Sequence, residues 1–211
     1  RRGRMLLAGD AAHQTPPFLG QGMCAGVRDA ANLAWKLQAV VSGRCASSLL
    51  DTYQAERHPH VAEYIRLAVR LGRLIQATDG AQVQERDQQF AQGPELLRSI
   101  TPALGASALN DAQGGAGTLS WQPLLRDGSY MDDKVGMNFY VVAQPGLIDD
   151  ELKAACTAAV MKPVLVPADE PAIADWLDAL GAGMVVVRPD RYLLGTANTP
   201  QELRRLWSRL G

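Results

Sequence analysis

The sequence predicts an α/β chain built as two units, and three observations carry that expectation. Near the start, a short apolar run, Met5 to Ala8, leads through Asp10 and the stiff pair Pro16-Pro17 to Gly20 and Gly22, which open a long amphipathic pattern. In mid-chain the periodicity decays into Gly105 to Gly117, rich in Ala, Gly and Ser, the composition of a linker or a mobile covering segment. Beyond it, apolar runs of strand length alternate with helical patterns. The expected units are residues 1–80 and 120–211, with 81–119 between them. Charge is divided unevenly too: residues 1–80 hold ten Lys and Arg against six Asp and Glu, and the remainder eleven against sixteen.

The first element is a buried-type strand, Met5 to Ala8, with no pairing partner nearby. Arg1 rather than Met stands first, so the chain is expected to be a piece whose missing part supplies the rest of that sheet. Gly22 to Val41 reads as a helix with Val27, Ala30, Ala31, Ala34, Leu37 and Val41 on its inner face, stopped at Gly43. A second helix is expected from Ser47 or Ser48 to Arg57, broken at Pro59. A third carries Val61, Ile65, Ala68, Leu71 and Ile75. A short helix from Val83 to Phe90 and another brief helical piece after Gly93-Pro94 follow.

The last unit has a different rhythm. Phe139 to Ala143 (strand), Asp149 to Val160 (helix), Val164 to Val166 (strand) and Ala172 to Leu180 (helix) come first. Met184 to Arg188 and Tyr192 to Thr196 are strands joined by the turn Pro189-Asp190-Arg191, and Pro200 to Leu210 is a closing helix capped by Thr199. This order, β-α-β-α-β-β-α, is that of a thioredoxin-like domain. It lacks the dithiol of a redox member, since the first strand is followed by Gln144-Pro145-Gly146-Leu147.

Composition narrows the function classes. Hydrophobic residues make up 47% of the 211, enough for a real core. A net charge of -1 lacks the basic excess of a nucleic-acid binder. Cys24, Cys45 and Cys156 are odd in number and form no C-x-x-C pair, as expected of a reduced, cytoplasmic protein. No apolar run reaches the roughly 18 residues of a membrane span, so no membrane partner is expected. Arg57, His58 and His60 match no zinc spacing and read as a solvated helix junction. Asp149, Asp150 and Glu151 read as helix capping, and Trp176 and Trp207 as core.

The chemistry concentrates between Gly9 and Met23. A helix start presents free N–H groups and roughly half a positive charge, suited to an electron-rich ligand. Gly20 and Gly22 let such a ligand approach the backbone, and Asp10 is placed to accept hydrogen bonds from sugar-type hydroxyls.

Gly9-Asp10-Ala11-Ala12-His13, then Pro16-Pro17, Gly20-Gln21-Gly22-Met23 and Asp29-Ala30-Ala31-Asn32-Leu33-Ala34-Trp35-Lys36-Leu37, closely resemble the second FAD-binding motif of the single-component flavoprotein aromatic hydroxylases. Val187-Arg188-Pro189-Asp190-Arg191-Tyr192 resembles the thioredoxin-like tail of their phenolic-acid members. The resemblance implies a fold of part of an FAD-binding domain, strand plus helices, followed by a thioredoxin-like α/β domain. It implies FAD as cofactor, NAD(P)H and O2 as co-substrates, and a small phenolic acid as the molecule hydroxylated. It further implies that Asp10 binds the ribityl chain, that Gly20, Gln21, Gly22 and Met23 contact the flavin ring through their backbone, and that Pro17 lines the reactive side. His13 stays open between a site role and a structural one. The chain alone is expected to be inactive. Two other readings stay open: a non-catalytic thioredoxin-like interaction or homodimerisation module, and a hydroxylase of a polycyclic polyketide.

Overall fold

The computed structural model describes residues 1–91 and 100–210. The helical piece expected after Gly93-Pro94 lies outside the described residues.

The run Met5 to Ala8 is not a strand. Its one ladder contact is an isolated bridge between Arg2 and Met5, and the Met5 and Leu7 side chains are exposed. Without a neighbouring strand among the described residues, its backbone groups have no ladder to join. The Leu7 carbonyl instead accepts from the Tyr53 hydroxyl at 2.9 Å.

Helix α1 spans Gly22–Val41 and ends where Gly43 takes the left-handed conformation, φ 71°. Its inner face is not the expected apolar stripe. Ala25, Asp29, Asn32, Trp35, Lys36 and Ala39 are buried, whereas Val27 is 61% and Val41 84% exposed. Charges supplied by distant elements turn the helix this way.

A 3-10 turn, Ser47–Leu50, leads into helix α2, Asp51–Ile75, which runs through Pro59 without a break. The expected second and third helices are therefore one. Proline removes a donor, leaving the Ala55 carbonyl without its helical partner. Gly105 occupies that spot: its N–H donates to the neighbouring Glu56 carbonyl at 2.9 Å, and any Cβ there would overlap the Ala55 carbonyl oxygen and the Pro59 ring. Tyr53, Glu56 and Arg57 before the proline and His60, Val61 and Tyr64 after it are all buried, so packing on both sides holds the helix together. Helix α3 follows at Gly80–Ala91.

Residues 104–118 are wedged between α2 and the last sheet. Leu104 N–H donates to Gly117 O, Gly117 N–H to Leu193 O, and Leu193 N–H to Thr118 O, each within 2.9 Å. Asn110, buried, donates to the carbonyls of Leu104 and Gly105.

A short helix absent from the sequence reading, α4 (Met131–Val135), precedes β1 (Tyr140–Ala143). Then come α5 (Asp150–Ala158), β2 (Val164–Pro167), α6 (Pro171–Ala179), β3 (Met184–Val187), β4 (Leu193–Ala197) and α7 (Pro200–Trp207). The sheet order is β2-β1-β3-β4, with β1 parallel to β2 and the other pairs antiparallel. This is the thioredoxin-like arrangement. Asp149 and Thr199 cap α5 and α7 by accepting from Leu152 and Glu202 N–H.

Strand period two divides the core. Val141, Ala143, Met184 and Val186 face α5 and α7, while Tyr140, Val142, Val185 and Val187 face α4 and α6. The first of these cores also takes in Trp35, Ala39, Cys45 and Leu49 from the N-terminal helices. Phe139 stands edge-on between Trp35 and Trp207, at 5.2 and 5.6 Å.

Candidate functional site

The Gly9-to-Met23 stretch folds as two tight turns feeding a helix mouth. Asp10 sits in a 3-10 turn, Gly9–Ala11, entered through Gly9 at φ 59°. That turn lies directly on α1, where a Cβ at Gly26 would come within 3.3 Å of the Gly9 Cα. The second turn, Pro17–Leu19, closes on Gly20, φ 61°, whose N–H donates to Pro17 O at 3.0 Å. Its Phe18 ring rests on Gly72 of α2, where a Cβ would overlap the ring.

Helix α1 then begins with no side-chain cap and no acidic residue in its first turn. Its leading N–H groups are left for another acceptor. Asp10, Pro17, Gly20 and Met23 are exposed, and Gln21 and Gly22 half-buried. Among the described residues the Asp10 carboxylate has no hydrogen-bond or ion-pair partner. An exposed acceptor and an uncapped helix mouth, both on rigid turns, fit a ligand with hydroxyls at one end and an electron-rich ring edge at the other.

The first turn is held from behind by Asp29. Its carboxylate accepts from Gly9 N–H at 3.0 Å, lies 2.7 Å from His13 Nε2, and accepts from Arg57 Nε at 2.8 Å. Burial opposes its ionisation, but the hydrogen bonds from Arg57, His13 and Gly9 outweigh it and hold the carboxyl below its usual range. His13 is thus a partner of Asp29. Arg57 is buried, not part of a solvated junction, and among the described residues its two terminal nitrogens have no acceptor. Arg57 lines a cleft of about 600 Å³ together with Met5, Leu7, Tyr53, Val61 and Ile65.

One residue earlier on α2, Glu56 anchors a second buried cluster. Arg188 grips it with both terminal nitrogens, at 2.9 and 2.8 Å, and holds Asp190 through Nε and NH2 at 3.0 and 2.6 Å. Lys36 Nζ donates to Glu56 at 2.8 Å, Asn32 donates to both Glu56 and Asp190, and the Ser107 hydroxyl donates to Glu56. Two cations and two carboxylates balance. Burial would raise the Glu56 carboxyl, but Arg188 and Lys36 pull it far below its usual range. Burial pushes Lys36 down to about 8. Arg188 and Asp190 reach this position because Arg188-Pro189-Asp190-Arg191 is a tight turn, with Arg188 O accepting from Arg191 N–H and Arg191 at φ 67°.

His60, also buried, packs beside this cluster with Nε2 at 2.9 Å from the Tyr192 hydroxyl. Burial, aided by Arg57 and Arg28, pushes its pKa down to about 3. Among the described residues no group of three or more His, Cys, Asp or Glu is gathered as metal ligands would be.

The sequence reading missed both clusters. A usable signal existed: Asp29, Asn32 and Lys36 stand at i, i+3 and i+7, a polar stripe on one face of a helix whose other polar residues are only Arg28 and Gln38.

Comparison with known proteins bears on this geometry. Residues 1–68 match the family described as FAD binding domain. Over its whole length the chain is 38% identical to a probable NADH-specific resorcinol 4-hydroxylase of Rhodococcus jostii, of which it spans 43%. It is 35% identical, again over its whole length, to a 3-(3-hydroxy-phenyl)propionate/3-hydroxycinnamic acid hydroxylase of Mycolicibacterium gilvum, of which it spans 37%. The solved structure of BexE superposes on all of the chain with a TM-score of 0.75 at 28% identity, 45% of that structure being covered. The chain thus spans about two fifths of the curated relatives it matches. Residues 1–68 are thus similar to the FAD binding domain family, and the chain as a whole is similar to about two fifths of the length of these aromatic hydroxylases.

Proposed function

We propose that the chain works within a longer flavoprotein that hydroxylates a small phenolic acid with NAD(P)H and O2. The observation that carries this reading is the uncapped mouth of α1 together with the Asp10 carboxylate, unpartnered among the described residues and set on a turn braced by Asp29. In this assignment Asp10 accepts hydrogen bonds from the ribityl hydroxyls of FAD. Backbone groups of Gly20, Gln21, Gly22 and Met23 meet the electron-rich edge of the flavin ring, where the helix N-terminus favours negative charge. Pro17, on its rigid turn, lines the side where the aromatic ring stands. FAD held there would supply the redox chemistry that couples NAD(P)H and O2 to hydroxylation of the ring.

The substrate class and the nicotinamide donor are drawn from the relatives, one named for resorcinol with NADH and one for 3-(3-hydroxyphenyl)propionate. The three cysteines are free thiols, which supports a cytoplasmic location. No helix among the described residues is long and apolar enough to cross a membrane.

The test is turnover by the full-length protein carrying this chain, with FAD, NADH or NADPH, O2 and a panel holding resorcinol, 3-(3-hydroxyphenyl)propionate and non-phenolic analogues. Substrate-stimulated NAD(P)H oxidation with a hydroxylated phenolic product is expected. Oxidation that no phenol stimulates would refute the assignment.

A further inference from the structure

We propose that Arg188, carried by the thioredoxin-like unit, is a positioning residue for the flavin loop. The proposal rests on the FAD reading above and adds a role for the C-terminal unit in that same site. The juxtaposition is direct. Arg188 fixes Glu56 with a two-pronged grip, and Glu56 is the chain neighbour of Arg57. Arg57 fixes Asp29, and Asp29 fixes Gly9 N–H and the His13 ring, the two ends of the turn that carries Asp10.

The same arginine also sets the helices against each other. Asn32 of α1 donates to Glu56 of α2 and to Asp190 beside Arg188, while Lys36 of α1 donates to Glu56. Asp29 lies one turn N-terminal to Asn32 on the same face of α1. The register of α1 on α2 is therefore determined at the Glu56 cluster and read out at Asp29. Guanidinium is the group for this place, because its planar fork serves two carboxylates at once. Trp35 closes the cluster from one side, with the Arg188 guanidinium carbon 5.2 Å from its ring centre.

A passive packing role and a positioning role differ in what they do to the flavin. Removing Arg188 leaves Glu56 and Asp190 facing Lys36 alone, and the excess negative charge has to move or take up a proton. The α2 turn holding Arg57 would shift, and with it the Asp10 turn. A cavity elsewhere in the thioredoxin-like core lowers stability without acting on that turn.

The experiment uses the full-length holoprotein with FAD as the probe. Arg188→Gln and Arg188→Lys are compared with wild type, with Leu203→Ala as a core-cavity control and Asp10→Ala as a positive control. The readouts are FAD affinity, the visible circular dichroism of bound flavin, and thermal stability. Arg188→Gln is expected to weaken FAD binding roughly tenfold or more and to alter the flavin dichroism, with Arg188→Lys intermediate. Leu203→Ala should lose stability while keeping the wild-type spectrum and affinity. Should Arg188→Gln fail to fold, Asp190→Asn is expected to shift the dichroism and affinity in the same direction. Wild-type flavin properties in the folded Arg188 or Asp190 variants, or equal losses in Leu203→Ala, would overturn the proposal. A wild-type protein that binds no FAD would instead sink the functional assignment itself.

Discussion

Two adjacent residues of α2, Glu56 and Arg57, carry most of what is unusual here. Each is buried and charged, and each is matched by partners far away in the chain. Breaking such a buried pair costs about 3–5 kcal/mol because the surviving charge is left uncompensated. Asp29→Asn should therefore lower unfolding stability by about that much, and denaturant melts giving under 1 kcal/mol would show Arg57 finding other partners. His60 adds a pH signature. Its folded pKa lies at about 3, below the ordinary 6.5, so its stabilisation is fully present above pH 6.5 and is lost as pH falls towards 3. Between about pH 6 and 4 the protein should lose about 1.4 kcal/mol per pH unit on this account. His60→Gln should flatten that slope, and parallel curves for the two proteins would contradict the assignment. At this scale the sequence showed the caps Asp149 and Thr199, because a cap and its helix are neighbours in the chain. It did not show Asp29, Glu56 or Arg188 as a group. Apart from Asp190 beside Arg188, their partners lie 16 to 132 residues away, beyond any local window.

Among the elements, α1 and α2 show where periodicity misleads. The apolar side of α1, with Val27 and Val41, points outward, while Asp29, Asn32 and Lys36 go in. Hydrophobic pattern assumes that burial follows apolarity, and a charge network with exact partners reverses it. Pro59 misled in a similar way, since a helix breaker is tolerated where the orphaned carbonyl is covered and both flanks are packed. Gly105 provides that cover. Gly105→Ala would push a methyl into the Ala55 carbonyl and the Pro59 ring. A loss of about 1–3 kcal/mol is expected, and an unchanged melting temperature would show that α2 does not need this contact. The thioredoxin-like elements, by contrast, were legible nearly to the residue. Strands β1 and β3 are buried on both faces, and turn formers separate the elements.

The whole molecule is less divided than its composition suggests. Trp35, Ala39 and Leu49 share a core with Phe139, Val141 and Trp207, and the Glu56 cluster spans the same boundary. Heating should therefore produce a single cooperative transition, and two resolved calorimetric peaks would show that the units melt separately. This unity gives the thioredoxin-like unit a reason to be present without a dithiol: it completes the charge balance behind the Asp10 turn. The helix start at Gly22 was legible because the Gly9-to-Met23 stretch is local, its turns and helix following one another in the chain. The bracing behind it was not, because it is assembled only on folding. The most direct test of the account is an FAD titration of the full-length protein with and without Asp10→Ala. Loss of charge-assisted hydrogen bonds worth about 1.5–3 kcal/mol predicts a Kd raised roughly ten- to a hundredfold. An unchanged Kd would remove Asp10 from the site and contradict the account.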